Sequence, residues 1–391
     1  MLRIAVLSDI HAHAKNQLGD GEDAPSYAEV TLPDDPQLNP FSGVRDLILR
    51  EGITTDVIVC AGDMGDKANP EAVRYSWSQI QTLQSSLSAP LILAATGNHD
   101  MDSRNINGFD AKATLQELTD YPFASEALNN EYWANNAVVQ SHGSFRSVLL
   151  NSSAYHGYSN EHTHGRISSR TRSYIKRKLA DLPDPGVNIL VTHHQVYKYG
   201  AVDLKDLSEM HDASALLDDL NSGEHGSWLL IHGHRHWPAV TNAGGGRGAP
   251  VVFSAGSFSA VLYAEIQSRA RNQFYILELE ETQPGFPIRG TFRAWDWIVD
   301  RGFLPAQERS GLTHVGGFGG AMNGAELAAA VNHFYERAGS GYQTWEDVAA
   351  AVPDARFTMP SDFEQFQRVL KNQYGLTVLQ DGGVPAQVGR A

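Results

Sequence analysis

The chain has 391 residues, which is enough to bury a sizeable core in one large domain or in two medium ones. Its 42% hydrophobic and 19% charged residues are typical of a globular protein and exclude disorder on a large scale. The formal net charge of −15 argues against a broad basic surface for nucleic acid. No stretch approaches the roughly 20 apolar residues of a membrane helix. We therefore expect no membrane contact and do not favour nucleic acid as a partner.

The start of the chain and its cysteine content bear on location. The apolar run at residues 2–7 leaves no room for a signal peptide, because a candidate metal ligand follows at Asp9. The single cysteine, Cys60, excludes an internal disulfide and lies in an apolar run that predicts a buried strand. These features predict a cytoplasmic protein.

Up to about residue 300, strand-like runs alternate with helical stretches. The predicted strands are residues 3–7, 57–61, 91–95, 147–150, 188–192, 228–231, 251–254 and 274–279. Helical spacing predicts helices over residues 70–87, 170–182 and 213–220. This alternation favours an α/β fold whose functional groups lie beyond the strand ends.

Two regions depart from that alternation. Residues 14–40 form an acidic, proline-rich insertion after the first polar segment. It is either a rim that selects substrate or a surface insertion without a functional role. These two interpretations stay open.

The C-terminal part of the chain has a different composition. Glycines at 316–320 predict a flexible joint. Apolar residues at helical spacing predict helices around 327–334 and 363–370, and Ser361 with the glutamate three residues later has capping-box spacing. We therefore expect residues 305–391 to form a small helical appendage. It either supports packing, docks a protein partner or gates substrate.

Five short polar segments stand out, most of them directly after a predicted strand. They are Asp9-Ile10-His11, Gly62-Asp63-Met64-Gly65-Asp66, Gly97-Asn98-His99-Asp100, His193-His194 and Gly233-His234-Arg235-His236. Each alone is typical of a turn or a helix cap. Together, carboxylates, an amide and imidazoles delivered to one sheet edge indicate a site for a pair of divalent ions, which is the chemistry of phosphoester hydrolysis.

Such a pair, about 3.5–4 Å apart, needs a bridging carboxylate and ligands that leave room for water and phosphate oxygens. Asp9 and His11 are two residues apart at a strand end, so their side chains point to the same side and can chelate one ion. Asp63, on a glycine-flanked turn, is the predicted bridge. Asn98 offers a neutral oxygen to the second ion. The two histidines of the fifth segment share one side, so that one can serve each ion.

In motif and order, these segments resemble the calcineurin-like metallophosphoesterase superfamily over roughly residues 1–300. The resemblance implies a four-layer α/β/β/α sandwich of two mixed β-sheets flanked by helices. The predicted domain covers residues 1–304, with the acidic insertion inside it, and leaves the C-terminal helical region, 305–391, without an assigned role.

The resemblance also implies roles for individual residues. The first metal would be held by Asp9, His11, Asp63 and His236, and the second by Asp63, Asn98, His193 and His234. A hydroxide bridging the two ions would be the nucleophile. His99 would assist the leaving group as a catalytic residue, with Asp100 holding its ring.

One departure concerns the fourth segment, where many relatives have His-x-Pro and this chain reads His193-His194-Gln195. The choice of ligand between the two histidines therefore stays open. We prefer His193 because it stands where the family histidine stands, and expect His194 to face the phosphate or to pack behind the site. Asp66 fits a supporting or turn role, and His13 is either a substrate contact or a solvated loop residue.

We predict a metal-dependent enzyme with two divalent ions that hydrolyses phosphoesters. Phosphodiesters are the preferred substrate class in this prediction. Manganese is preferred, and iron, zinc or cobalt also suit mixed His/Asp/Asn ligands. One alternative is a metal-dependent nuclease that works with a partner ATPase. The other is a metal-binding scaffold that acts through the C-terminal region as an interaction protein.

Overall fold

The structure is a computed structural model that describes residues 1–19, 21–158, 164–198, 209–244, 246, 248–307, 310–339 and 341–390. The strands are β1 (Leu2–Leu7), β2 (Val57–Cys60), β3 (Leu91–Ala94), β4 (Ala137–Ser141), β5 (Arg146–Leu150), β6 (Asn188–Val191), β7 (Trp228–His232), β8 (Ala239–Asn242), β9 (Val251–Ser254), β10 (Gln273–Leu279), β11 (Gly290–Ile298), β12 (Gly302–Pro305), β13 (Val315–Phe318), β14 (Gln343–Thr344), β15 (Leu376–Asp381) and β16 (Val384–Arg390). The α-helices are α1 (Pro40–Glu51), α2 (Pro70–Leu87), α3 (Ala111–Gln116), α4 (Glu126–Asn135), α5 (Ser169–Ala180), α6 (Ala213–Asn221), α7 (Ala264–Gln267), α8 (Gly324–Ala338), α9 (Trp345–Ala351) and α10 (Pro360–Tyr374).

Two mixed sheets form the centre of the fold. The first has the order β12-β11-β10-β1-β2-β3, with β13 also paired to β11, and the second has the order β4-β5-β6-β7-β9-β8. Strands β1, β2 and β3 are parallel to one another, as are β5, β6, β7 and β9. Polar segments that follow β1, β2 and β3 therefore leave the first sheet at one edge, and those after β6 and β7 leave the second sheet at one edge.

The alternation of side chains along the strands produces the layers. In β1, Ile4 and Val6 belong to a core shared by both sheets, whereas Ala5 and Leu7 face the opposite side. Helices α1 and α2 cover that outer face of the first sheet, and α5 and α6 cover the outer face of the second. The predicted α/β/β/α sandwich is therefore confirmed. None of the described helices combines the length and the apolar character that crossing a bilayer requires.

The helix ends follow local chemistry. Asn69 accepts hydrogen bonds from the backbone of the first turn of α2, and Pro70 occupies the first helical position. The helix predicted over residues 70–87 from helical spacing has these bounds in the structure. The sequence does not predict α1, although Asn39 and Pro40 begin that helix in the same way.

The C-terminal region differs from its prediction in three respects. Residues 316–318 of the expected flexible joint (316–320) lie in β13, which pairs with β11 of the first sheet. Helix α10 begins at Pro360 without a side-chain cap, so the capping box predicted at Ser361 is wrong; a capping box occurs instead at Asn323 of α8. The helices share a core with a three-stranded antiparallel sheet, β14-β16-β15, which the sequence does not predict. The division of the chain at residue 304 stays a prediction.

Candidate metal centre

The five polar segments follow β1, β2, β3, β6 and β7, and their side chains converge at one place between the two sheets. The backbone there is unusual: Asp9, His11, Asp63, His234 and His236 have φ values of 51°, 49°, 56°, 72° and 52°. Residues other than glycine rarely adopt these left-handed conformations, which cluster at functional sites. The surrounding structure therefore holds the backbone in a strained conformation at these five residues.

Backbone hydrogen bonds between segments stabilise that arrangement. The N–H of Asp9 donates to the carbonyl of Gly62 at 3.0 Å, and the N–H of His11 donates to the carbonyl of Asp63 at 3.0 Å. The third segment approaches closely, because a Cβ on Gly97 would lie 2.1 Å from Oδ1 of Asp63. Glycine is therefore required at position 97.

Asp63 lies between two groups of imidazoles. Its Oδ2 is 3.4 Å from Nε2 of His11 and 3.3 Å from Nε2 of His193, while its Oδ1 accepts the backbone N–H of His99 at 2.7 Å. A single carboxylate oxygen thus faces both groups. This is the placement that a bridging ligand needs.

The first group consists of Asp9, His11 and His236, whose candidate ligand atoms lie within 4.8 Å of one another. Nε2 of His236 is 3.3 Å from Oδ1 of Asp9 and 3.2 Å from Nε2 of His11. The backbone N–H of His234 donates to both oxygens of Asp9 at 3.0 and 3.1 Å, which fixes that carboxylate. Nitrogen and oxygen donors that converge in this way fit a divalent cation.

The second group centres on Asn98. Its Oδ1 lies 2.9 Å from Nε2 of His193 and 2.9 Å from Nδ1 of His234, and these two nitrogens are 3.3 Å apart. Nδ1 of His193 donates to the carbonyl of Ala61 at 2.7 Å, which fixes the ring and directs Nε2 into the site. The second group therefore also fits a divalent ion.

Burial sets the charges of the site. The side chains of Asp9, His11, Asp63 and His193 are all buried. Burial lowers the pKa of His11 and that of His234, which favours the neutral imidazoles that bind metals. Burial opposes ionisation of Asp63, but His193 and His99 outweigh it and hold the pKa of Asp63 well below its usual value. The site therefore combines an ionised Asp63 with neutral imidazoles at His11 and His234. At His193 the effect of Asp63 exceeds that of burial and raises the pKa to about 9, so a metal bound at that nitrogen would displace a proton.

His99 lies at the mouth of the site, with its side chain 34% exposed. Its Nδ1 lies 3.1 Å from Oδ1 of Asp66, whose Oδ2 accepts a hydrogen bond from Nε2 of Gln17 at 3.0 Å. The predicted role of Asp100 as the partner of the His99 ring is wrong. The structure places Asp66 there, and the sequence signal for it is a second acid three residues after Asp63 on the same turn.

Asp100 instead organises the backbone. Its two carboxylate oxygens accept the N–H groups of Asp63, Met64, Gly65 and Gly97 at 2.7–3.2 Å. Burial, followed by the charge of Asp63, raises the pKa of Asp100 to about 6. Asp100 therefore holds the turn that carries Asp63 rather than the His99 ring.

Two further histidines near the site, His194 and His13, are buried. His194 is buried behind the site, with Nδ1 2.9 Å from Oγ of Ser152 and its ring 4.5 Å from that of His234, centroid to centroid. His13 is buried and forms backbone hydrogen bonds with Ala28 and Val30, so the interpretation as a solvated loop residue is wrong.

Tyr263 contacts the candidate ligand His236, and no feature of the sequence predicts this contact. Its ring stacks on that of His236, with centroids 5.6 Å apart and an interplanar angle of 13°. Tyr263 is 63% exposed, so core packing does not account for its position. Nδ1 of His236 is buried and has no hydrogen-bond partner among the described residues. The stack therefore constrains a ring that lacks the usual outer hydrogen bond.

A pocket opens beside the second group. It is lined by Asn98, His99, Lys67 and loop residues 101–104, 106 and 107, and it encloses about 490 Å³ including solvent-open space. Asn98 and His99 are half-buried, in contrast to the buried Asp63 and His193. The site meets solvent on this side.

Comparison with known proteins places this chain in a family. The sequence model of the calcineurin-like phosphoesterases matches residues 2–262, which is about two thirds of the chain. No curated protein matches the chain in sequence.

Several solved structures are similar at low identity. A dimetal phosphatase from Danio rerio is 13% identical with a TM-score of 0.47, over 78% of this chain and 98% of that chain. A phosphopantetheinyl hydrolase from Mycobacterium tuberculosis is 12% identical with a TM-score of 0.35, over 65% and 89%. A calcineurin-like phosphoesterase from Bacillus subtilis is 14% identical with a TM-score of 0.33, over 72% and 86%.

The match of the family model over most of the chain shows that this protein belongs to the calcineurin-like phosphoesterase family. The family depends on two metal ions, and the clusters of Asp and His described above can bind metals. The protein is accordingly a metal-dependent hydrolase that acts on phosphoesters.

Proposed function

We propose that this protein hydrolyses phosphodiesters at a centre of two divalent ions. Our assignment of ligands follows the two groups of side chains, with Asp63 common to both. The first ion is held by Asp9, His11, Asp63 and His236, and the second by Asp63, Asn98, His193 and His234. The observation that carries the proposal is the position of Oδ2 of Asp63, 3.4 Å from Nε2 of His11 and 3.3 Å from Nε2 of His193.

Ions held there would polarise the phosphoryl oxygens and lower the pKa of a bound water. The chain's own residues orient these ligands and handle the proton. The carbonyl of Ala61 positions the ring of His193. The carboxylate of Asp9 positions the backbone of His234. We assign His99 as the group that gives a proton to the leaving oxygen. Its ring is held at Nδ1 by Asp66, so Nε2 is the nitrogen for that step.

The identity of the ions and the class of ester are finer parts of the proposal. Oxygen ligands from two aspartates and an asparagine suit manganese, and the imidazoles also suit iron, zinc and cobalt. We prefer manganese. The preference for diesters rests on the short polar segments and the His193-His194 pair, and the net charge of −15 argues against a polynucleotide. A cytoplasmic location stays a prediction supported by the single cysteine.

The test begins with elemental analysis of purified protein, followed by chelation and reconstitution with Mn²⁺, Fe²⁺, Zn²⁺ or Co²⁺. Each form is assayed with bis-p-nitrophenyl phosphate, p-nitrophenyl phosphate, and single- and double-stranded DNA. We expect two ions per chain and the highest kcat/KM with the diester and Mn²⁺. Cleavage of DNA with no turnover of the small diester would instead support the nuclease alternative, and no turnover in any form would support the scaffold.

A pair of variants tests the role of His99. H99A should lower kcat about 10²–10⁴-fold, the range for general acid catalysis, at unchanged metal content. H333A is the matched control, because His333 lies exposed on α8. Equal turnover of H99A and H333A would contradict the assignment of His99.

A further inference from the structure

The pocket beside Asn98 and His99 has a defined wall. Both oxygens of Asp102 accept backbone N–H groups of the loop, from Ile106 at 3.0 Å and from Asn107 at 2.7 Å. Nδ2 of Asn107 then donates to the carbonyl of Lys67 at 3.2 Å. The loop is therefore closed on itself and fastened to the segment that carries Lys67.

The charges of this wall are unbalanced. Lys67 and Arg104 both line the pocket, and Asp102 is the one acidic residue there among the described residues. The carboxylate of Asp102 is engaged by the loop backbone. Within the described part of the chain, no salt bridge joins Lys67 or Arg104 to an acidic side chain.

Two cations without salt-bridge partners are notable in a protein with a net charge of −15. They lie next to His99, which we place at the leaving oxygen, so they can meet only the part of a substrate beyond the scissile phosphate. A lysine and an arginine at such a position suit the oxygens of an anionic group. A neutral aryl or alkyl group would gain little from them.

We propose that this pocket selects phosphoesters that carry a second anionic group, such as a second phosphate, and that Lys67 and Arg104 bind that group. This inference rests on the phosphoesterase function proposed above. Lys67 and Arg104 are specificity-determining residues and take no part in the chemical step.

The test compares two fluorogenic methyl phosphodiesters that differ only in the leaving group. One releases 4-methylumbelliferone, and the other releases 7-hydroxycoumarin-4-acetate, which carries an additional carboxylate. We expect a lower KM for the doubly charged substrate. K67Q and R104Q should each raise that KM about fivefold to tenfold, the worth of one partly exposed charge-assisted contact, with kcat unchanged. The KM for the singly charged substrate should stay the same.

Two controls carry the same change of charge elsewhere. Lys371 and Arg368 are exposed on α10, so K371Q and R368Q should behave like the wild type with both substrates. Equal KM values for the two substrates in the wild type would overturn the inference. An equal effect of K67Q and R104Q on both substrates, or no effect on either, would do so as well.

Failure of the proposed function is a separate outcome. If neither substrate is hydrolysed in any metal form, calorimetry of thymidine 3′,5′-bisphosphate and thymidine 5′-monophosphate still probes the pocket. Tighter binding of the bisphosphate, lost in K67Q and R104Q, supports the pocket independently of hydrolysis. Equal binding of the two nucleotides contradicts it.

Discussion

The turn that carries Asp63 can be tested by replacing Asp100 with asparagine. In the native protein each oxygen of Asp100 accepts two backbone N–H groups, Oδ1 from Met64 and Gly65 and Oδ2 from Asp63 and Gly97. An asparagine keeps one of these acceptors, so two buried N–H groups meet an amide NH₂ that cannot accept. At about 1.5–3 kcal/mol for each hydrogen bond to a charged acceptor, D100N should cost about 3–6 kcal/mol of folding free energy.

The assay is urea unfolding of metal-free protein, followed by tryptophan fluorescence and circular dichroism. Metal is removed because an ion bound only by the native state would itself stabilise the fold. D66N is the matched control, since Asp66 is also a buried acid but contacts the side chains of His99 and Gln17. A free energy of unfolding for D100N within about 1 kcal/mol of the wild type would refute the role given to Asp100.

Three further predictions concern single side chains. D66N should lower kcat about tenfold at unchanged metal content, because the His99 ring loses its orienting partner; unchanged kcat in steady-state assays would argue against that role. Burial raises the pKa of Cys60, so its thiol should react with Ellman's reagent only after unfolding, and rapid labelling of native protein would contradict its burial. Y263A should weaken metal binding about tenfold in competition with a chelator while Y263F retains it, because the ring constrains His236. Equal affinity in both variants would show that the stack has no such effect.

The sequence predicts the central strands well because these strands are buried and consist of continuous runs of apolar residues. All four residues of β2 are buried aliphatic or cysteine residues, as expected for a parallel strand covered on both faces. Strand β11 is not predicted, because Arg293 and Asp296 interrupt its apolar residues. Strand β15 lies in the half-exposed C-terminal sheet, where no continuous apolar run marks it.

The candidate site shows a similar limit. Motif spacing brings Asp9, Asp63 and Asn98 to one sheet edge, and the structure places them together. Spacing does not decide which acid meets the His99 ring. Asp66 and Asp100 are each within three residues of a candidate ligand, and their different contacts depend on how the two turns face each other.

Strands β12 and β13 act together as one border strand, because β12 pairs with residues 295–298 of β11 and β13 with residues 290–293. A chain that ends before Gly316 would lose most of β13, and with it Phe318, which is fully buried. Unpaired strand edges recruit strands from neighbouring molecules, so such a fragment would self-associate. A cut before Gly316 would therefore damage the first sheet in addition to removing the C-terminal helices.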